Sequence, residues 1–412
     1  MLATQRKAAP AFRKTAETFA AEAKALAQQY FVSPEVFAEE QDRIFSKQWV
    51  LVGHQRQLAE AGDYFVAVVA SESLIIVRDK GGELHGFYNV CRHRGTRLRE
   101  DRNGHLSAIQ CPYHAWTYAL DGRLIGAPHM DDVPGFDKSD YPLHRVNLAV
   151  WEGFIFVNLA EAGSLPSILS RSHSSALTGA SRPSLPAGKE RDRRKPDGFV
   201  SLEDWFAPLQ GKFSHWNMSI LQPAKRIEYD VCANWKLMFE NYSECYHCPG
   251  VHPQLQKVSP YDSAENDLRE GPFLGGFMKI NLGKSLTMSG NACAAFVGKI
   301  ENLQQVFYYS IFPNMLLSLH PEYVMVHQLW PQSPERTLIV CDWLFHPDAF
   351  GRKDFRPEDA IEFWDMTNKQ DWHVCELSQQ GIASRAYEPG PYSARESIPA
   401  AWDEYYLRRM KT

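Results

Sequence analysis

The sequence has no long apolar run. Its most apolar stretch, Leu148 to Leu159, is interrupted by Glu152, Gly153 and Asn158. A transmembrane helix needs about 18 or more consecutive apolar residues, so we expect none here. The N-terminus carries basic residues but no apolar segment before a cleavage site, which argues against a secretory signal peptide. We therefore expect a cytoplasmic protein with no membrane contact.

Strong charge imbalance and a high cysteine content are also missing. The 412 residues include 44 Lys+Arg, 49 Asp+Glu and only 8 Cys, for a net charge of −5. A mildly acidic chain is a poor match for nucleic acid as the main partner. Sparse cysteine argues against a small secreted disulfide scaffold. We expect the cysteines to be metal ligands or core thiols rather than bridges.

The residue pattern divides the chain into four segments. Residues 1–47 favour helices, and we expect these helices to pack on the catalytic domain. Residues 48–160 contain short strands separated by turn signals, which predicts a compact all-β domain. Residues 161–198 are rich in Ser, Gly, Pro and Ala, a composition typical of a linker. Residues 199–412 alternate helical and strand patterns, which predicts a larger α+β domain.

Several helices are predicted from composition and capping signals. One covers 11–29, another spans about 235–246, and a long one runs from 357 to about 380. A further helix begins at Ser33-Pro34-Glu35, where Ser can cap and Pro suits the first helical position. Its periodicity predicts an apolar face of Val36, Phe37 and Ile44, with three acidic residues toward solvent: Glu39, Glu40 and Asp42.

The first motif consists of two short Cys/His loops. Cys91-Arg92-His93 is followed, after seventeen residues, by Cys111-Pro112-Tyr113-His114. Two thiolates and two imidazoles could hold one tetrahedral zinc ion. They could equally hold a [2Fe–2S] cluster, in which neutral imidazoles on one iron raise the reduction potential. Zinc sites more usually have two Cys followed by two His. The C-x-H and C-x-x-H order resembles the Rieske motif, and we favour the iron–sulfur cluster.

The second motif is a pair of histidines, His247 and His252, five residues apart. Two imidazoles and one carboxylate leave open positions on a non-haem Fe(II) for O₂ and substrate. The best candidate for the carboxylate is Asp371 on the long late helix, with Asp365 nearby as the alternative. Glu244 lies three residues before His247, on the same predicted helical face, and could orient a ligand. Cys245-x-x-Cys248 has an alternative interpretation as a redox or zinc pair.

Together the two motifs resemble the catalytic α subunit of Rieske-type non-haem iron oxygenases, the ring-hydroxylating oxygenase family, from about residue 49 to 385. The resemblance implies a small all-β Rieske [2Fe-2S] domain and a larger α+β catalytic domain. The latter would have an antiparallel sheet flanked by helices, in a helix-grip-like arrangement. It also implies cofactor ligands: Cys91, His93, Cys111 and His114 for the cluster, and His247, His252 and Asp371 for the mononuclear iron.

The same resemblance implies roles for further residues and partners. Glu244 corresponds to the family's bridging acid, which joins cluster and iron across a subunit boundary in a trimer and is more often Asp. His114 would be the cluster imidazole that binds this acid, and Asn241 matches an Asn near the iron. Because the chain has no Gly-rich dinucleotide motif, electrons from NAD(P)H would come from a separate flavin reductase, with or without a ferredoxin.

The expected function is that of a terminal oxygenase that uses O₂ to hydroxylate a small organic substrate. Segments 244–248 and 313–321 look most like the branch that oxidises betaine-type quaternary amines, which favours oxidative N-dealkylation. Ring hydroxylation is the alternative, and a Rieske electron-transfer or zinc-binding protein without oxygenase activity is an alternative of another class. Aromatic cages suit quaternary ammonium ions. Residues expected to line the pocket are Phe273, Phe277, Met278, Phe296, Phe307, Tyr308 and Tyr309.

Overall fold

The structure is a computed structural model that describes residues 23–160, 200–295 and 304–411. The predicted linker and most of the predicted helix 11–29 lie outside these residues. For the residues of that segment that are described, the prediction of a helix was wrong. Residues 23–28 are not helical, and helix α1 begins at Gln29. Within the described ranges, no helix combines the length and the apolar character that crossing a membrane requires.

The N-terminal helices are α1 (Gln29–Val32) and α2 (Pro34–Glu40), which continues as a π-helical turn, Gln41–Phe45. As predicted, Ser33 caps α2 and accepts a hydrogen bond from the backbone N–H of Val36. The prediction that Glu40 faces solvent was wrong. Its carboxylate is fully buried and accepts hydrogen bonds from Lys236 Nζ at 2.5 Å and Trp235 Nε1 at 2.8 Å. The helical period alone could not identify this partner, which lies 196 residues away.

The segment predicted as an all-β domain consists of ten strands in three antiparallel sheets. The sheet orders are β4-β3-β2-β5, β6-β7-β8 and β1-β10-β9. In the second sheet, Ile109 and Tyr118 pair on either side of the second Cys/His loop. The Tyr118 hydroxyl also lies 3.3 Å from the Cys91 sulfur of the first loop. The strands are β1 (Val50–His54), β2 (Asp63–Val69), β3 (Glu72–Arg78), β4 (Leu84–Tyr88), β5 (Asn103–His105), β6 (Ile109–Gln110), β7 (Thr117–Tyr118), β8 (Leu124–Gly126), β9 (Asn147–Trp151) and β10 (Phe154–Asn158).

The C-terminal segment is built around one seven-stranded antiparallel sheet, in the order β11-β17-β16-β15-β14-β13-β12. Its strands are β11 (Gln222–Val231), β12 (Glu265–Leu268), β13 (Phe273–Lys279), β14 (Gln305–Ile311), β15 (Met315–Leu319), β16 (Tyr323–Ser333) and β17 (Arg336–Phe345). Its helices are α3 (Leu202–Trp205), α4 (Trp235–Tyr242), α5 (Cys248–Val251), α6 (Pro253–Val258), α7 (Pro357–Ile382) and α8 (Ser397–Met410). The predicted fold class, α+β with an antiparallel sheet flanked by helices, is confirmed.

The two faces of this sheet have different neighbours, because side chains alternate along each strand. On one face, Met325 belongs to the core that also contains residues of α4 and α7. On the other face, Val324 and Val326 pack with Leu51 of β1 and with the segment that follows α3. Helix α7 is tied to the first face by a hydrogen bond from Trp364 Nε1 to the hydroxyl of Tyr323, at 2.7 Å. The functional cavity lies on this face.

Candidate active site

The two Cys/His loops have the same backbone plan. The N–H of Cys91 donates to the carbonyl of Thr96, and the N–H of Cys111 donates to the carbonyl of Trp116, both at 2.8 Å. Each loop also has a residue with positive φ, Gly95 at 75° and Ala115 at 55°. Each loop therefore folds back on its own cysteine. The histidine of each loop follows that cysteine by two or three residues.

In these loops the sulfur donors are buried, whereas His114 is half-buried and His93 is exposed. Cys91 and Cys111 are each 3% exposed, whereas His93 is exposed and its ring centroid lies 4.8 Å from that of His114. The ring of His93 stacks on Trp116 with centroids 4.7 Å apart. Burial raises the pKa of the Cys91 thiol. Two inner thiolates and two outer imidazoles fit a [2Fe–2S] cluster with chemically different irons.

Three side chains in the larger domain converge on one point. His252 Nε2 lies 2.8 Å from Asp371 Oδ1 and 3.2 Å from His247 Nε2. His247 Nε2 lies 3.3 Å from the same carboxylate oxygen. These three donor atoms lie within 4.8 Å of one another, as the ligands of a single metal ion must. Two imidazoles and a carboxylate are the donor set of a mononuclear non-haem iron with open positions.

Both histidines are held with Nε2 toward this point. His247 Nδ1 lies 2.6 Å from Glu244 Oε1, and His252 Nδ1 lies 2.8 Å from Gln370 Oε1. Each Nδ1–H donates a hydrogen bond to its acceptor oxygen. Each Nε2 therefore carries a lone pair that is available to a metal. Gln370 was not identified from the sequence. Its position directly before Asp371 in α7 was the only available signal.

Electrostatics also prepares the site for a cation. Burial lowers the pKa of His247, but hydrogen bonds to Asp371 and Glu244 outweigh it and raise that pKa to about 10. Burial raises the pKa of Asp371, but hydrogen bonds to His247 and His252 outweigh it and lower that pKa to about 2. In the metal-free chain a proton is therefore held between the donors, and a divalent metal ion replaces this positive charge.

The chain between Glu244 and His247 is not helical, contrary to the predicted helix 235–246. Helix α4 ends at Tyr242, and a single helical turn, α5, follows His247. Glu244 nevertheless approaches His247, because its Oε2 accepts hydrogen bonds from the backbone N–H groups of Tyr246 and His247. His252 directly follows α5, the helical turn that contains Pro249 and Gly250.

The cysteine predictions need two corrections. Cys245 and Cys248 form a disulfide, although the sparse cysteine content favoured thiols. This pairing leaves neither sulfur atom as a thiolate ligand for zinc, and it is the oxidised state of a redox pair. Cys232 is exposed rather than buried. The sequence could not show that the turn at 243–247 brings the two cysteines to a Cα–Cα distance of 5.0 Å.

A cavity opens beside the His/His/Asp cluster. Glu244, Asn241 and all three converging residues contribute to its wall. Among the aromatic and apolar residues predicted to line it, Phe277, Met278 and Tyr308 do so. Phe273, Phe307 and Tyr309 instead pack into the core on the opposite face of the sheet, because they alternate with cavity-facing neighbours. Phe296 lies outside the described residues.

Five rings form a continuous arc along this wall, which we call the aromatic arc. The centroid of Tyr308 lies 6.2 Å from that of Trp364 and 5.9 Å from that of Tyr242. The ring of His327 lies 6.3 Å from Tyr242 and 5.8 Å from Trp372. The prediction included only Tyr308, because the other four rings come from α4, β16 and α7.

Asp365, the alternative carboxylate, does not join the cluster. Its Oδ1 accepts a hydrogen bond from the hydroxyl of Tyr229 at 2.9 Å, and its Oδ2 accepts one from Lys369 Nζ at 2.6 Å. Asp371 lies six residues, somewhat less than two helical turns, further along α7. This separation leaves Asp371 facing the histidines.

Two family models match this chain, one for each domain. Residues 48–137 match the Rieske [2Fe-2S] domain family, and residues 218–412 match the ring hydroxylating alpha subunit (catalytic domain) family. A glycine betaine monooxygenase oxygenase subunit of Chromohalobacter salexigens is 31% identical over 405 residues, covering 89% of this chain and 81% of the relative. A carnitine monooxygenase oxygenase subunit of Acinetobacter baumannii is 32% identical over 362 residues, covering 87% and 85%.

Solved structures show the same fold. One is a quaternary ammonium Rieske monooxygenase that was studied for carnitine oxidation by gut microbiota. It superposes with a TM-score of 0.74 at 24% identity, covering 95% of this chain and 96% of that one. A naphthalene 1,2-dioxygenase from Rhodococcus superposes with a TM-score of 0.65 at 20% identity, covering 93% and 94%. Because the chain matches the catalytic-domain family and the two oxygenase subunits, the interpretation as an electron-transfer or zinc protein without oxygenase chemistry is wrong. The chain belongs to the Rieske-type non-haem iron oxygenases, as an oxygenase α subunit whose cofactors are a [2Fe–2S] cluster and a mononuclear iron.

Proposed function

We propose that this oxygenase hydroxylates a carbon next to the nitrogen of a small quaternary amine. The observation that carries the proposal is the aromatic arc beside the His247–His252–Asp371 cluster. Rings attract a quaternary ammonium ion through their negative faces. An ammonium group held against the arc would present an N-alkyl carbon to the metal side of the cavity.

Charge in the cavity favours the same kind of substrate. Among the residues in 23–160, 200–295 and 304–411, the cavity wall contains no lysine or arginine, and it contains two carboxylates, Glu244 and Asp371. A cation therefore meets no like charge on the described wall. The relatives named for glycine betaine and carnitine monooxygenases act, by those names, on quaternary amines, which supports the proposal.

The proposed cofactor ligands are those the motifs predicted. Cys91, His93, Cys111 and His114 would hold the cluster, and the converging residues His247, His252 and Asp371 would hold the iron. When bound, the cluster supplies electrons singly, and the iron binds and activates O₂. The protein's own part is to keep each imidazole Nε2 directed at the iron through Glu244 and Gln370, and to exclude water with the apolar wall.

Glu244 is proposed to have a second task. As in the family, it would link the iron ligand His247 to His114 of a neighbouring subunit in a trimer. One observation supports this role: Glu244 bonds directly to His247 at 2.6 Å. A solved relative is described as showing inter-subunit electron transfer. Asn241, on the cavity wall, is proposed to lie near the iron.

The reaction leaves a definite product pattern. Insertion of one oxygen atom into an N-alkyl C–H bond gives a carbinolamine, and the second oxygen atom leaves as water with two electrons and two protons consumed. The carbinolamine C–N bond then breaks, releasing an aldehyde, a proton and the dealkylated amine. The electrons would come from NAD(P)H through a flavin reductase, with or without a ferredoxin, in the cytoplasm, where NAD(P)H is abundant.

The test is a turnover assay with the iron-loaded oxygenase and a surrogate reductase. Quaternary amines and aromatic hydrocarbons are supplied in parallel, and aldehyde and cis-diol products are measured. Aldehyde formation that matches O₂ consumption with a quaternary amine supports the proposal. Diol formation from an aromatic ring, with no aldehyde from any amine, would overturn it in favour of ring hydroxylation.

A further inference from the structure

A chain of hydrogen bonds runs from the surface to the wall of the active-site cavity. Lys369 Nζ lies 2.6 Å from Asp365 Oδ2, and the Tyr229 hydroxyl lies 2.9 Å from Asp365 Oδ1. Asn368 Nδ2 lies 3.4 Å from the Tyr229 hydroxyl. His327 Nε2 lies 3.2 Å from Asn368 Oδ1. His327 is the last member of this hydrogen-bond chain, and it lines the cavity.

The carboxylate of Asp365 fixes the direction of every bond in the chain. A carboxylate beside an ammonium group can only accept, so the single hydroxyl proton of Tyr229 points to Asp365. The hydroxyl oxygen of Tyr229 then accepts from the amide N–H of Asn368. The Asn368 carbonyl is left facing His327, so His327 Nε2 must donate. His327 Nδ1 therefore carries a lone pair and no proton.

This lone pair has no partner among the residues that the structure describes. The His327 side chain is 1% exposed, and Nδ1 is buried without a hydrogen bond among the described residues. Burial lowers the pKa of His327 to about 4, with a smaller opposing effect of Asn368, so the ring is neutral near pH 7. Trp372 is the adjacent ring of the aromatic arc, and its Nε1–H donor is likewise buried and unpaired in that part of the chain.

Two adjacent rings of the cavity wall thus carry an unpaired buried acceptor and an unpaired buried donor. Leaving both unpaired carries a cost in free energy that a bound ligand can remove. A hydroxyl group is the simplest complement, because it donates one hydrogen bond and accepts another. A carboxylate is a poor complement, since it cannot donate to Nδ1. An alkyl group satisfies neither nitrogen.

We propose that His327 Nδ1 and Trp372 Nε1 receive a hydroxyl group of the substrate, so that the enzyme selects hydroxylated quaternary amines over hydroxyl-free ones of equal size. This inference rests on the proposed function and specifies its substrate class. His327 acts as a specificity-determining residue. Asn368 and Tyr229 are positioning residues that set its tautomer without touching the substrate.

The test compares binding of two matched pairs of ligands to the iron-loaded protein by calorimetry. The pairs are carnitine with γ-butyrobetaine, and choline with propyltrimethylammonium, in which a hydrogen or a methyl group replaces the hydroxyl. We expect the wild type to bind each hydroxylated member about three- to tenfold more tightly. His327→Phe should bring the ratio close to unity while the hydroxyl-free member still binds.

Two tyrosine variants separate positioning from general damage. Tyr229→Phe removes the hydroxyl that orients Asn368, so the ratio should fall although the cavity wall is unchanged. Tyr309→Phe is the matched control, because its hydroxyl also bonds to an aspartate, Asp267 at 3.2 Å, but lies on the opposite face of the sheet. Its ratio should equal that of the wild type. Should His327→Phe not fold, Tyr229→Phe decides the same question.

The outcomes separate the two proposals. Equal affinities within each pair for the wild type, or a ratio that His327→Phe and Tyr229→Phe leave unchanged, would overturn the role of His327 and leave the quaternary-amine function standing. If none of the four ammonium ions binds or is oxidised, the proposed function itself fails, and this inference fails with it.

Discussion

Glu244 Oε1 lies 2.6 Å from His247 Nδ1, so the acidic residue proposed to transfer electrons is bonded directly to a proposed iron ligand of its own chain. One side chain can therefore serve two functions, orientation of the imidazole and contact with a neighbouring subunit. Different substitutions at Glu244 separate them, because an amide keeps the acceptor oxygen and loses the charge.

We expect Glu244→Gln to retain iron and cluster but to lose coupled turnover, since its amide oxygen can still accept from His247. Glu244→Ala should lose turnover and also bind iron about 10- to 100-fold more weakly. Iron content, cluster absorbance and product per O₂ consumed are the measurements. Glu265→Gln, on an exposed position of β12, is the control. Normal turnover per bound iron in Glu244→Gln would contradict the bridging role.

The two aspartates of α7 should respond differently. Asp371→Ala removes one of three converging donors, and we expect its iron content to fall far below that of the wild type while the cluster spectrum is unchanged. Asp365→Asn removes a partner of Lys369 and Tyr229, so its iron content should stay normal. Metal analysis after identical reconstitution is the measurement. The assignment fails if Asp365→Asn loses iron and Asp371→Ala keeps it.

Gln370 should control iron affinity through His252. Gln370→Leu removes the acceptor that lies 2.8 Å from His252 Nδ1, so the imidazole loses its fixed tautomer. We expect iron affinity to fall about 10- to 100-fold. Gln370→Glu supplies an acceptor again and should bind iron much as the wild type does. Competition with a chelator measures both variants, and equal affinity for Gln370→Leu and wild type would refute this role.

The buried Lys236–Glu40 ion pair should be costly to break on one side only. The charged atoms lie 2.5 Å apart, and both side chains are fully buried. Lys236→Met leaves the Glu40 carboxylate without a counter-charge, and we expect a loss of about 3–5 kcal/mol in the free energy of unfolding. The double variant Lys236→Met with Glu40→Gln should recover much of it. Chemical denaturation measures both, and an additive loss would argue against the pairing.

His320 should make stability depend on pH. It is fully buried, neither ring nitrogen has a side-chain partner among the described residues, and burial lowers its pKa to about 3. Between pH 6.5 and about pH 3 the His320 ring is protonated in the unfolded chain but neutral in the folded protein. The free energy of unfolding therefore falls as the pH is lowered through this window. Relative to wild type, His320→Phe should lose about 2 kcal/mol less between pH 7 and pH 5. His215→Gln, at an exposed position, is the control variant.

The sequence was most informative where function depends on residues close together in the chain. The Cys/His loops and the His247–His252 spacing could be recognised because each forms within a few residues. Asp371 could be proposed but not separated from Asp365, since only the orientation of α7 against the sheet distinguishes them. Gln370, His327 and the buried carboxylate of Glu40 could not be found, because their roles depend on partners far away in sequence.

Cys91 and Cys111 are buried, whereas the two imidazoles lie nearer the surface. This arrangement has a consequence for the path of electrons through the domain. With these four residues as ligands, protein would cover the cysteine side of the cluster. Electrons would then enter and leave the cluster through the rings of His93 and His114. If His114 faces the neighbouring subunit, His93, which is exposed and stacked on Trp116, is left for the external donor. Electrons would then enter the cluster at His93 and leave it at His114. The external electron donor could stay bound while the electron passes on to the neighbouring subunit.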